Sequence, residues 1–155
     1  MRDKHFVAIH RGGLLDPARH RLLAKWAADC AEHVLPLFDK HSSDERPARA
    51  IQVARDWAKG KAPIGEFRKA AVGAHAAARS VTNKAAIAAA RAAGHAVATA
   101  HMADHCLGPM IYGCKAVEAA GGSAEKERAW QVKRLPKQLR QFMSSALEKR
   151  LTKGS

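Results

Sequence analysis

Histidine side chains recur at helical spacing in the middle of the chain. His95, His101 and His105 follow one another closely, and Asp104 precedes the last of them. On a continuous helix, His101 and His105 are four residues apart and share one face, because about 3.6 residues make one turn. Two imidazoles on one helix face can hold one metal ion. The spacing therefore raises the possibility of a metal site.

A complete metal site needs further ligands. The predicted set is His75, His101, Asp104 and His105, with His75 contributed by the preceding helix, and zinc is the expected ion. The metalloprotease pattern HExxH and the di-iron pattern Glu-x-x-His are both absent. We therefore favour histidines with a structural role and no cofactor. The same geometry turns His95 by roughly 120° from His101, which predicts that His95 serves a different surface.

A wider polar cluster surrounds these histidines in the part of the chain with the fewest charges. Buried charges are costly unless they are paired. The cluster is therefore either a salt-bridge network that fixes the register of the helices or a pocket that binds an anion. Its members are His75, Arg79, Arg91, His95, His101, Asp104 and His105.

Basic residues dominate the charge of the protein. The 27 Lys and Arg residues outnumber the 14 Asp and Glu residues, which gives a net charge of +13. A run without acidic residues between Glu127 and Glu148 is predicted to be a partner surface, formed by Arg128, Lys133, Arg134, Lys137 and Arg140. Such a field attracts nucleic acid, anionic membranes or an acidic protein. Nucleic-acid binding stays open as an alternative, although the sequence has no recognisable nucleic-acid-binding motif.

Alanine sets the expected architecture. The 155 residues include 34 alanines, and aromatic residues make up 5%. Alanine is the best helix former, and its small side chain lets helices approach closely. The composition predicts one all-α domain of about six helices, packed as an irregular bundle around the Ala-rich third and fourth helices. Residues 1–15 are expected to form an N-terminal arm, and residues 152–155 a frayed tail.

Local signals mark where several helices begin and end. Asp16-Pro17, Asn83 and Ser123 are typical of helix starts. Pro36 is predicted to kink or end the first helix. The fourth helix is predicted to run from about residue 84 to about residue 106.

Other features narrow the class of protein. The first residues show neither a long apolar stretch nor a small-residue cleavage site, so we do not expect secretion through a signal peptide. No uncharged stretch of the sequence is long enough to span a bilayer. Three cysteines without a CxxC pair indicate buried, reduced thiols. We therefore expect a cytoplasmic protein that does not bind membranes. The serine hydrolase motif GxSxG and the P-loop are absent, so an enzyme is not the favoured interpretation.

Several segments resemble a known family, the small Ala-rich all-helical immunity proteins of bacterial polymorphic toxin systems. The similarity covers roughly residues 10–136 and is carried by residues 10–13, 45–50, 57–60, 73–79, 90–101 and 130–131. The resemblance implies a non-enzymatic cytoplasmic protein that binds and neutralises a toxin. Because this chain is strongly basic, we expect it to dock on an acidic surface of its partner. The oligomeric state stays open.

Overall fold

The computed structural model describes residues 3–61 and 64–143 of the chain. Six α-helices within these residues are α1 (Pro17–Asp39), α2 (Arg46–Ala58), α3 (Ile64–Arg79), α4 (Lys84–Ala98), α5 (Leu107–Ala119) and α6 (Ala124–Arg134). Residues 137–143 are helical as well. The described residues contain no strand beyond an isolated bridge between Ala8 and Leu15. The predicted all-α domain is confirmed, and the predicted frayed tail lies outside the described residues.

Three helices begin where the local sequence predicts. The carboxylate of Asp16 accepts a hydrogen bond from the backbone N–H of Arg19, and Pro17 occupies the first turn of α1. The side chain of Asn83 caps α4 and that of Ser123 caps α6 in the same way. Each cap satisfies a backbone N–H that has no partner inside its helix.

Helix α4 lies at the centre of the bundle. It packs against α1, α2, α3 and α5. Its side chains at Ala86, Ala89 and Ala93 are fully buried. Small side chains on this helix allow four neighbours to approach it, while the larger core side chains Trp26 and Phe38 come from α1. The predicted packing around an Ala-rich centre is therefore what the structure shows.

Neither α1 nor α4 ends at the residue where the sequence predicts an end, and the alternative that Pro36 kinks α1 stays a prediction. Helix α1 continues through Pro36 to Asp39. Because proline has no N–H group, one backbone carbonyl in the preceding turn lacks its usual helical donor. Pro36 is exposed, so water can donate to that carbonyl instead. Helix α4 ends at Ala98, well before the predicted end near residue 106. A turn and a short 3-10 helix, Ala103–Cys106, then lead into α5.

The N-terminal residues fold back on the domain. Residues 3–15 form two 3-10 turns, and the side chains of Phe6 and Leu15 are buried. The predicted N-terminal arm is thus part of the packed structure over the residues described.

Helix α6 packs mainly against α5, and α6 and the residues after it also contact α1. The indole Nε1 of Trp26 donates a hydrogen bond to the backbone oxygen of Gln131 over 2.8 Å. The buried amide of Gln131 donates to the backbone oxygen of Met110 over 3.1 Å. Farther along, the guanidinium of Arg19 lies 4.6 Å from the ring centre of Phe142. These contacts fix the flank of α1 that α6 covers.

Among residues 3–61 and 64–143, no helix combines the length and the apolar character needed to cross a membrane.

Candidate functional site

Three histidines meet where α3, α4 and the 3-10 turn before α5 come together. The rings of His75 on α3 and His95 on α4 make an edge contact, with ring centres 5.3 Å apart. The Nδ1 atoms of His95 and His105 are 3.3 Å apart. A neutral imidazole carries one N–H, so one of these two nitrogen atoms can donate to the other. We call His75, His95 and His105 the histidine cluster.

Two glycines make room for the histidine cluster. A Cβ atom at Gly94 on α4 would lie 2.6 Å from Nε2 of His75. A Cβ atom at Gly108 on α5 would lie 2.5 Å from Cγ of His95. Both distances are shorter than carbon and nitrogen atoms tolerate. The absence of a side chain at these two positions therefore lets the imidazoles pack against helix backbones.

The surroundings keep two of these imidazoles neutral. The pKa of His95 is lowered to about 4, mainly because the ring is buried. The nearby His75, His105 and Arg91 make smaller contributions in the same direction. Burial also lowers the pKa of His75, assisted by Arg91 and Arg79. Desolvation and neighbouring positive charge both disfavour the protonated ring. The cluster therefore accepts and donates hydrogen bonds at neutral pH without carrying a full charge on His95.

A cavity of about 440 Å³ opens beside His95 and His105. Asp104, Tyr112 and Lys115 are among the residues that line it. The ring of Tyr112 stacks on His95 with ring centres 5.2 Å apart, and the amine of Lys115 lies 5.3 Å from the Tyr112 ring centre. The cavity thus combines the neutral imidazole of His95 with polar and charged side chains that can bind a polar ligand.

The structure rearranges the predicted polar cluster. The prediction that His101 and His105 share a helix face is wrong, because α4 ends before both residues. His101 is exposed and lies beside Phe67, with ring centres 6.2 Å apart. His95 lies on a different surface from His101, as its angular position predicts, but it shares that surface with His75 and His105.

The remaining predicted residues contribute at longer range. Arg79 and Arg91 are both exposed, and their charges act on His75. Asp104 lines the cavity beside His105. Within residues 3–61 and 64–143, no group of three or more His, Cys, Asp and Glu side chains is placed to hold a metal ion. The predicted metal ligands His75, His101, Asp104 and His105 are therefore not gathered at one point.

Sequence reasoning missed the roles of Tyr112, Lys115 and the two glycines. Gly94 and Gly108 carried a usable signal, because a glycine inside a helix costs about 1 kcal/mol relative to alanine and so needs a packing reason. Tyr112 and Lys115 carried none, since they join His95 through the fold and lie on another helix.

The predicted basic surface divides into free and engaged cations. Lys133, Arg134 and Lys137 are exposed. The guanidinium of Arg140 donates to the backbone oxygens of Leu135 and Lys133. Arg128 is half-buried, and its side chain hydrogen-bonds to the thiol of Cys114. Burial raises the pKa of this thiol, and the hydrogen bond from Arg128 offsets part of that increase. Lys133, Arg134 and Lys137 therefore form what we call the α6 basic face.

An aromatic stack supports the α6 basic face. The rings of His33 on α1 and Trp130 on α6 are parallel, with centres 3.6 Å apart. The guanidinium of Arg134 lies 4.9 Å from the centre of the Trp130 ring. Nδ1 of His33 and a carboxylate oxygen of the buried Glu127 are 2.7 Å apart. Trp130 is half-buried, not part of the core as a helical pattern alone would suggest.

The three cysteines are packing residues. Cys30, Cys106 and Cys114 are all buried and none forms a disulfide. Burial raises the pKa of all three thiols. Because the thiolate is the reactive form of cysteine, these side chains are poor nucleophiles.

The fold and these surfaces define a small all-helical protein with a cluster of exposed basic side chains at the end of α6. The chain matches the family model described as "Imm-5 like putative immunity protein" over residues 13–138. It therefore belongs to this immunity protein family, as its Ala-rich segments predicted. The matched span includes the histidine cluster and the α6 basic face. No curated protein and no solved structure matches the chain.

Proposed function

We propose that this protein binds a toxin in the cytoplasm and neutralises it by docking its basic helical surface on an acidic surface of the toxin. The family match over residues 13–138 carries the proposal. Proteins of an immunity family act by binding, so the exposed surface matters more than an internal pocket. The net charge of +13 supports an acidic partner.

The α6 basic face is the part of this surface that best fits the role. Lys133 and Arg134 are exposed at the end of α6, and Lys137 is exposed just after it. Charges at the edge of an interface act mainly on the association rate, because they guide the partner before contact is made. An interface of ordinary size buries about 800 Å² on each partner, far more than these three side chains supply. The face therefore steers the partner, and other residues hold it.

Recovery of the partner from the native host is the first test. Tagged protein expressed at native level should recover one protein in stoichiometric amount at moderate salt. Expressing that protein alone should stop growth of a heterologous host, and co-expression with the immunity protein should restore growth. Failure to recover any stoichiometric partner, or a partner that is harmless on its own, would contradict the proposed function.

Charge reversal then tests the α6 basic face. The pair K133E and R134E should slow association with the recovered toxin by about tenfold at low salt. The matched control pair is K69E and K84E, which changes the net charge equally at two exposed positions on α3 and α4. Equal slowing by both pairs would show that only the overall charge matters.

A further inference from the structure

A strip of α1 stays uncovered between α2 and α6. Arg21, Lys25, Asp29 and His33 follow at four-residue spacing, so they lie along one side of the helix. Asp29 accepts a hydrogen bond over 2.8 Å from a side chain of α2, and His33 stacks on a side chain of α6. The strip is thus bounded by α2 on one side and by α6 on the other. Arg21 and Lys25, one helical turn apart, are exposed on it.

A groove with a cavity of about 570 Å³ lies where this strip meets α2. Its apolar lining comes from Ala18, Leu22 and Ala58. Its positive lining includes Arg21, Lys25 and Lys59. These three cations are exposed and form no ion pair with any residue in the described part of the chain. We call this feature the α1–α2 groove.

The fourth cation of the α1–α2 groove is already engaged. Arg55 on α2 donates to Asp29 over 2.8 Å and to Glu32 over 3.0 Å. These bonds raise the pKa of Arg55 against the effect of its burial, and they tie α2 to α1. Arg55 therefore shapes the wall of the groove, while its charge is balanced within the protein.

We infer that the α1–α2 groove binds an acidic amphipathic segment of the toxin, with an apolar side chain seated among Ala18, Leu22 and Ala58 and carboxylates paired with Arg21, Lys25 and Lys59. The inference rests on the proposed function. The groove combines an apolar lining with free cations. This combination complements a helix whose apolar side chains are flanked by Asp and Glu. The groove supplies the anchoring contacts that the α6 basic face lacks.

A protein segment fits this groove better than nucleic acid does. Among the described residues, the lining has no aromatic ring on which a base could stack. A leucine or similar side chain between carboxylates uses both the apolar and the positive parts of the lining.

The test uses a defined peptide and does not depend on the toxin. The probe is a fluorescent peptide of Glu and Leu with Leu at i, i+3 and i+4 positions, and polyglutamate of equal length is the comparison. At ~0.15 M salt, where exposed charges are largely screened beyond ~8 Å, we expect the amphipathic peptide to bind at least about tenfold more tightly than polyglutamate. The double variant R21E with K25E should bind the amphipathic peptide about tenfold or more weakly than wild type. The control pair K69E with K84E should weaken this binding by less than about threefold.

A second variant tests the apolar part without changing charge. L22N should weaken binding of the Glu-Leu peptide and leave the binding of polyglutamate unchanged, because only the leucines of the Glu-Leu peptide contact the apolar lining of the groove. Circular dichroism melting of each variant establishes that it is folded. The inference would be overturned if both peptides bound equally well, or if both charge-reversal pairs lost equal affinity for the Glu-Leu peptide. It would also be overturned if DNA displaced the labelled peptide at a lower concentration than unlabelled peptide does.

The toxin assay separates this inference from the proposed function. If the wild-type protein neutralises the recovered toxin and R21E with K25E neutralises it equally well, the α1–α2 groove is not the anchor and the proposed function stands. If the wild-type protein binds the peptide in the groove but neutralises no partner, the proposed function fails.

Discussion

His95 illustrates how a single residue can be central to a site although its contacts are not evident from the sequence. Its ring contacts His75, His105 and Tyr112, which come from three different elements. Angular position on an idealised helix cannot reveal such contacts, because they depend on where the helix ends and which helices pack beside it. Histidines in a segment with few charges already indicate a candidate site. Which of these histidines contact one another could be known only from the fold.

The lowered pKa of His95 predicts a loss of stability in acid. The pKa of His95 is about 4 in the folded protein, against 6.5 for an ordinary histidine, so the unfolded chain binds the proton more strongly between these two pH values. Stability from this group is fully present above pH 6.5, falls as the pH drops from 6.5 towards 4, and changes no further below that. Arg79, Arg91 and Lys115 add positive charge around the cluster, and Asp104 adds the opposite sign.

Urea unfolding measures this effect. Between about pH 7 and about pH 4.5, the wild-type protein should lose roughly 2 kcal/mol through His95, after allowance for partial exposure of the ring. H95Q should be less stable than wild type at neutral pH and should lack this part of the acid loss. H10Q, at an exposed position, is the control and should follow the wild-type curve. An unchanged pH dependence in H95Q would refute the assignment.

At the scale of elements, the starts of α1, α4 and α6 were predictable, whereas the ends of α1 and α4 were not. Asp16, Asn83 and Ser123 cap helices through local hydrogen bonds that the sequence displays directly. The end of α4 depends on a distant residue. The imidazole of His20 on α1 donates to the backbone oxygen of Thr99 over 2.6 Å. Thr99 also donates from its hydroxyl to the backbone oxygen of His95. Such tertiary satisfaction of carbonyl groups leaves no local signal in an Ala-rich run.

The close approach of α3 and α4 depends on Gly94. In G94A the new Cβ atom would have to displace the ring of His75, which itself packs against His95. We expect a loss of about 1–2 kcal/mol in the free energy of unfolding, despite the higher helix propensity of alanine. Histidine ring resonances in NMR spectra should shift as well.

The matched control is G65A in α3. A Cβ atom at Gly65 meets nothing within 4 Å, so this variant should be as stable as wild type or slightly more stable. If G94A proved as stable as G65A, the histidine ring would have moved at no cost, and Gly94 would not be needed for the contact between the two helices.

At the scale of the whole molecule, the fold class was predictable and the distribution of free charge was not. Alanine content indicates close-packed helices wherever they lie, so the all-α domain followed from composition. Whether a cation is free depends on its neighbours in space. Arg140 bonds backbone oxygens, Arg55 bonds two carboxylates, and Arg128 is half-buried. A count of basic residues therefore overstates the charge available to a partner.

This reduction in free charge argues against nucleic acid as the partner. Each phosphate that a protein neutralises steepens the fall of affinity with salt, so binding that persists at physiological salt needs many contacts or base stacking. Trp130, the aromatic residue beside the α6 basic face, is already stacked on His33 and contacted by Arg134. Labelled single- and double-stranded DNA and RNA should therefore bind at low salt and release by ~0.15 M salt, as fluorescence anisotropy can measure. K133E with R134E should weaken the low-salt binding. Submicromolar binding that persists at ~0.15 M salt would instead show that the protein recognises nucleic acid, and the search for an acidic toxin would lose its basis.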